Sequence, residues 1–237
     1  MCLLINCSAY ASCKLPKGFT YLRDVDNSID QTISFATSDN CIGHPLAGYE
    51  AQEAICTLAL AKELKKVQNS LKKINPYYSL SILDIYRPTD AVKDIINWAK
   101  DKDDIKTKQR CYPDLDKSEL LGDYVASVKS AHSRGSTVDI IILDTRTKQP
   151  LDFGPRFFGK YVHVNYSGLT PIQKENRLML RNLMIKHHFK PYDKEFWHFT
   201  LLNEPFPQTQ FNFKICNPLS IQGEHPMTDA SDNNQLQ

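Results

Sequence analysis

Residues 130–139, SAHSRGSTVD, run straight into the apolar stretch IIIL at 140–143, and the fold is read outward from this segment. Residues 138–143 form a β-branched run bounded by polar residues, which predicts a buried strand with Asp139 near its start. Gly135 permits a sharp backbone path between His132 and that strand. A carboxylate in so apolar a strand is costly unless it is paired or metal-bound. Taken alone, this spacing of His132 and Asp139 is a weak signal, because the cluster could equally be structural.

A second short stretch, EFWHF at 195–199, supplies Glu195 and His198. Two imidazoles and a carboxylate can fill three positions around zinc and leave a fourth open for water, as catalytic sites do and closed structural sites do not. Zinc lowers the pKa of its water, and the released proton must later reach a leaving nitrogen, which requires a carboxylate that is not a ligand. Glu195 is the candidate. In a regular strand a Glu-x-x-His pair would point to opposite faces, so a turn or bulge is expected at Phe196 and Trp197.

Taken together, these stretches resemble the D-alanyl-D-alanine dipeptidases, zinc enzymes of the bacterial cell-wall D,D-peptidase group with a Ser-x-His-x-x-Gly-x-x-x-Asp and Glu-x-x-His signature. The likeness runs from Gly18 to the Phe-x-Phe of residues 211–213. Its further landmarks are Gly48-Tyr49-Glu50, Tyr86-Arg87-Pro88, Gly122 with Tyr124-Val125-Ala126-Ser127, and Asn203-Glu204-Pro205-Phe206-Pro207. The resemblance implies one zinc per chain held by His132, Asp139 and His198, Glu195 as general base and acid, and Arg87 as stabiliser of the oxyanion. It also implies a small D,D-dipeptide as substrate, with Ser130, Tyr49, Phe158 and Phe196 as substrate-binding positions. A D,D-carboxypeptidase acting on longer peptidoglycan stems is the alternative within enzymology, and a metal-free binding module is the alternative outside it. The dipeptidase landmarks oppose the first, and the intact ligand set with Glu195 opposes the second.

Arg87 also makes chemical sense, since attack on an amide carbonyl creates an oxyanion to which a fixed guanidinium offers charge and two parallel donors. It follows the strand-like run SLSILDIY and precedes Pro88, which opens a helix with Val92, Ile95, Ile96 and Ala99 on its apolar side. The chain departs from the family it resembles at Arg156-Phe157-Phe158, where a Phe-Asp usually holds the dipeptide's ammonium. Phe35 stands where tyrosine is common, and Phe196 where tryptophan is. These exchanges predict weaker binding of D-Ala-D-Ala and less discrimination against an acylated amino end, with Asp152 either reaching in to compensate or serving a turn.

Across its 237 residues the chain carries 29 Lys plus Arg against 27 Asp plus Glu, so its formal charge of +2 provides no broad basic field for nucleic acid or anionic lipid. Helices are expected at about 50–73, 89–101 and 171–188, the last opened by a Thr170/Gln173 capping box and ended by Pro191. In the first of these, Ile55, Leu58, Val67 and Leu71 fall close to one apolar face. Strands are expected near 78–86, 124–128, 138–143 and 196–202. This gives a single α+β domain over 18–220, a mainly antiparallel sheet with flanking helices and the zinc site on one sheet face. Residues 221–237 are polar and expected to be disordered. Residues 1–17 read as a truncated signal segment or a flexible N-terminus, since Ala9-Tyr10-Ala11 suits signal-peptidase cleavage although no basic residue precedes it. Export to the periplasm is favoured over a cytoplasmic location, with no stable membrane insertion. Seven cysteines without a C-x-x-C pair read as free thiols, Cys56 being a packing residue, and an export route leaves room for one bridge.

Overall fold

The computed structural model describes residues 13–125, 129–156 and 158–217. In chain order, β1 (Phe19–Tyr21) and a single helical turn, α1 (Leu22–Val25), lead to the short β2 (Asp30–Gln31). β3 (Ile55–Thr57) then pairs antiparallel with β1 and passes directly into α2 (Leu58–Ile74). β4 (Tyr78–Asp84), α3 (Thr89–Lys100) and the single turn α4 (Lys108–Cys111) follow. The remaining elements are β5 (Thr137–Asp144), β6 (Gln149–Pro150), α5 (Pro171–Lys186), β7 (Phe189–Tyr192) and β8 (Glu195–Leu201).

The main sheet has the order β2-β4-β5-β8-β7, with β6 added at the end of β5. It is mixed, because β2 runs parallel to β4 while every other pair is antiparallel. Alternation along the central strands separates two faces. One carries Leu80, Ile82, Val138, Ile140, Ile142, Phe199 and Leu201, all buried in the core with α2 and α5. The other carries Asp139, Ile141, His198 and Thr200 and forms the floor of a cleft of about 1700 Å³.

The first long helix begins at Leu58, later than its periodicity suggests. Thr57 caps it by accepting the Leu60 N–H at 3.3 Å, and the buried residues before it form β3 instead. Leu58, the first helical residue, is consequently 40% exposed, and Leu60, Leu64, Val67 and Leu71 make the buried stripe. In α5 the capping box is present, with reciprocal bonds between Thr170 and Gln173. That helix stops at Lys186 and not at Pro191. His188 adopts a left-handed conformation (φ 66°) that turns the chain into β7, where Pro191 is tolerated at the sheet edge. Of the strand expected at 124–128, Val125 makes an isolated bridge to Leu121, and residues 126–128 lie outside the described residues. The segments 1–12 and 218–237, including most of the N-terminal segment and the polar tail, also lie outside them.

Four of the cysteines are paired, which corrects the reading of them as free thiols. Cys13 bonds Cys216 across 203 residues, and Cys41 bonds Cys111 across 70. Cys56 is unpaired and buried in the core, as its place on an apolar face suggests.

Candidate active site

His132 is presented by a single 3-10 turn, Ala131–Arg134. Ser130 caps the turn by accepting the His132 N–H at 3.3 Å, and Gly135 closes it at φ 75°. A Cβ at Gly135 would lie 2.3 Å from the ring of Phe19, so this position tolerates only glycine on both conformational and steric grounds. His132 Nδ1 donates to the Ile85 carbonyl at 2.7 Å, which commits that proton and leaves Nε2 facing Asp139, where it can take either a proton or a cation.

Asp139 and His198 are direct neighbours across the β5–β8 ladder. The β7–β8 register jumps from Pro191↔Phe199 to Tyr192↔Glu195, leaving residues 196–198 bulged out of the ladder. The expected bulge is therefore present, and it lets Glu195 and His198 face the same point. His198 Nδ1 lies 3.0 Å from Asp139 Oδ1, 3.4 Å from His132 Nε2 and 3.5 Å from Glu195 Oε2. His132 Nε2 is itself 3.4 Å from Asp139 Oδ2.

One ligand atom from each of His132, Asp139 and His198 lies within 4.8 Å of the others. Two nitrogens and a carboxylate oxygen converging this closely share more lone pairs than protons, and a cation answers that imbalance. The donor set and the backbone-bonded Nδ1 of His132 both fit zinc. Burial works to raise the Asp139 carboxyl, but His132 and His198 outweigh it and hold Asp139 well below the usual carboxylate range. For Glu195, burial wins and pushes the carboxyl up to about 7, with Asp139 adding to the rise and His198 and Arg87 opposing it.

Arg87 Nε and Nη2 donate to Asp84 Oδ2 at 2.9 and 2.7 Å, and Nη2 lies 3.8 Å from Asp139 Oδ2. Its guanidinium sits over the Phe35 ring, 5.0 Å from the centroid. Burial disfavours the charge on Arg87, but Asp84, Tyr49 and Asp139 overcome that penalty and keep it protonated. Asp84 is buried and is the functional residue that the sequence reading missed. Its signal was available, since an acid inside SLSILDIY is as costly as the one inside VDIIIL that drew attention to Asp139.

Ser130 and Phe158 line the cleft, Phe158 with its ring against Tyr124 at 5.5 Å. Two substrate-binding expectations are corrected. Tyr49 is buried behind the cleft and donates to Asp84 Oδ1 at 2.6 Å, so it braces the partner of Arg87. Phe196 points into the core, stacked on Phe153 at 5.4 Å, because as the next residue of β8 it faces the side opposite Glu195. Trp197, not singled out from sequence, lines the cleft instead. Asp152 accepts from Gly154 N–H and Gln173 Nε2, so it serves a turn and does not reach in.

Convergent imidazoles and carboxylates on an open sheet face, beside an ion-paired arginine, define the class of metal-dependent peptidases. Residues 16–216 match the peptidase M15 family described as D-ala-D-ala dipeptidase, and the chain belongs to that family. Among its relatives is a D-alanyl-D-alanine dipeptidase of Enterococcus faecalis, 34% identical over 204 residues that span 85% of this chain and 100% of the relative. One from Enterococcus faecium is 34% identical over 201 residues, 84% of this chain and 98% of its own length. A Streptomyces coelicolor protein of the same name is 31% identical over 200 residues, again 84% and 98%.

Proposed function

We propose that the protein hydrolyses D-Ala-D-Ala to two D-alanines, with one zinc ion per chain held by His132, Asp139 and His198. The observation that carries this reading is the position of His198 Nδ1, which lies within 3.5 Å of Asp139, His132 and the non-ligand Glu195 at once. When bound, zinc supplies Lewis acidity and makes a water acidic near neutral pH. Glu195, buried and raised in pKa, takes the proton from the attacking water and returns it to the leaving amine nitrogen. Arg87, held by Asp84, offers its N–H groups to the oxyanion that develops on the scissile carbonyl.

An amino-acid release assay with D-Ala-D-Ala, its L-configured counterpart and a stem peptide tests the substrate, the first alone being cleaved at a high rate. Elemental analysis and chelation test the metal. About one zinc per chain, lost together with activity in chelator and missing from His132→Ala, is the expected outcome. Full activity in strong chelator from a protein without transition metal would overturn it.

We further propose that the protein works in an oxidising compartment, the periplasm, with the cytoplasm as the alternative. The disulfides Cys13–Cys216 and Cys41–Cys111 support this, since such bonds persist outside the reducing cytoplasm. No helix among the described residues is long and apolar enough to cross a membrane. Sequencing the mature N-terminus decides the matter: a start at Ser12 is expected, and an uncut Met1 in a cytoplasmic fraction would rule export out.

A further inference from the structure

Arg177, on α5, is 5% exposed, yet burial disfavours its charge and no carboxylate among the described residues offsets that. A buried cation is costly unless every donor is used. Each of its three nitrogens donates to backbone carbonyls of one loop, in four hydrogen bonds. Nε donates to Phe153 O at 2.7 Å, Nη1 to His163 O at 3.2 Å, and Nη2 to Tyr161 O at 3.0 Å and Pro155 O at 3.4 Å. The guanidinium also lies 4.0 Å from the centroid of Phe196, inside the bulge that aims Glu195 and His198.

The loop so gripped reaches the cleft on its other side. It carries Phe158, whose N–H donates to Cys111 O at 2.7 Å, and His163, whose Nε2 pairs with the Tyr124 hydroxyl at 2.8 Å. Phe158 and Tyr124 both line the cleft. A core position needing only bulk would be served by leucine or methionine. A planar fork of five N–H donors is needed where several carbonyls of an irregular loop must be satisfied at once.

We propose that Arg177 is a positioning residue that holds the described loop residues 153–156 and 158–163, and through them Phe158 and Tyr124, as the wall that sets how tightly substrate binds. The proposal rests on the reading of the cleft as a D,D-dipeptidase site. Arg177→Met keeps the apolar contact with Phe196 and removes the donors. Its KM for D-Ala-D-Ala is expected to rise about 10-fold or more while kcat stays within about 3-fold, because loosened positioning without lost chemistry appears in binding. Zinc content should match that of the wild type. Amide hydrogen exchange should quicken in peptides covering 151–163 and remain unchanged in β5 and β8. Arg177→Lys, which retains charge and stem, should recover part of the KM and guards against a methionine variant that fails to fold. Unchanged KM with unchanged exchange in the loop would overturn the proposal. So would a uniform rise in exchange across the sheet with kcat falling and KM unchanged in both variants, the mark of a plain core stabiliser. A wild type that cleaves no D-Ala-D-Ala would refute the dipeptidase reading instead, while the exchange comparison would still decide whether Arg177 holds the loop.

Discussion

Glu195 and Asp84 are both buried acids, but they differ in what lies opposite them. For Glu195 the cost of burial exceeds the pull of His198 and Arg87, so its carboxyl stays near neutrality, where it can accept and return a proton. Glu195→Gln is expected to retain bound zinc and lose activity by at least ~10²-fold, the usual scale of acid–base catalysis, in parallel metal and turnover measurements. Near-normal turnover would assign the proton relay elsewhere. Asp84 holds Arg87 and accepts from Tyr49, so its effect should pass through the arginine. Asp84→Asn should lower kcat/KM by roughly 10- to 100-fold, in proportion to the weakening of one preorganised donor. Introduced into Arg87→Ala it should add little, and full additivity in that double-mutant cycle would show that Asp84 acts by another route. Asp139 was legible because a polar residue in an apolar run demands a partner, and His132, His198 and Glu195 because with it they make a zinc donor set and a free carboxylate. Phe196 falls off the cleft because, next to Glu195 in a strand, it faces the opposite side, and Tyr49 because sequence does not reveal that a tyrosine points behind a wall.

At the scale of elements, the boundaries followed local chemistry wherever a cap or a break spelled them out. Thr170, Pro171 and Gln173 mark the start of α5 with three independent signals, and the helix begins there. Thr170→Ala should lower stability by about 1 kcal/mol, read as a lower denaturant midpoint at constant slope. A midpoint equal to the wild type would mean that Pro171 and packing alone fix that end. The start of α2 was less legible, because the apolar positions continue in register through β3 and only Thr57 separates the two. The parallel pairing of β2 with β4 was not legible at all. Two residues, Asp30 and Gln31, carry no period, and their pairing depends on contacts about 50 residues away.

For the whole molecule, the α+β class could be read from the order of helical and strand-like runs, whereas the crosslinks could not. Cysteines separated by 70 and 203 residues have no spacing signature, and only the folded path brings them together. The Cys41–Cys111 bond ties the segment carrying Asn40 and Ile42 to the one that receives the Phe158 N–H. Replacing both cysteines by serine should cost about 2–4 kcal/mol, measured by denaturant unfolding without reductant. An unchanged midpoint would show that the surrounding hydrogen bonds, including Thr107 to Cys41 O, already hold the two segments.

Cys13 and Cys216 bring the two ends of the described domain to a Cα–Cα separation of 5.8 Å. Between them the covalent path closes on itself, so the domain is a ring, and where that ring opens is arbitrary as far as its contacts are concerned. The exposed turn at residues 145–148, which joins β5 to β6 and borders the cleft through Thr145 and Lys148, is a place where such a ring could be cut and its old ends joined. Circular permutation at that turn would relocate the chain's beginning while leaving His132, Asp139, Glu195 and His198 on uncut elements.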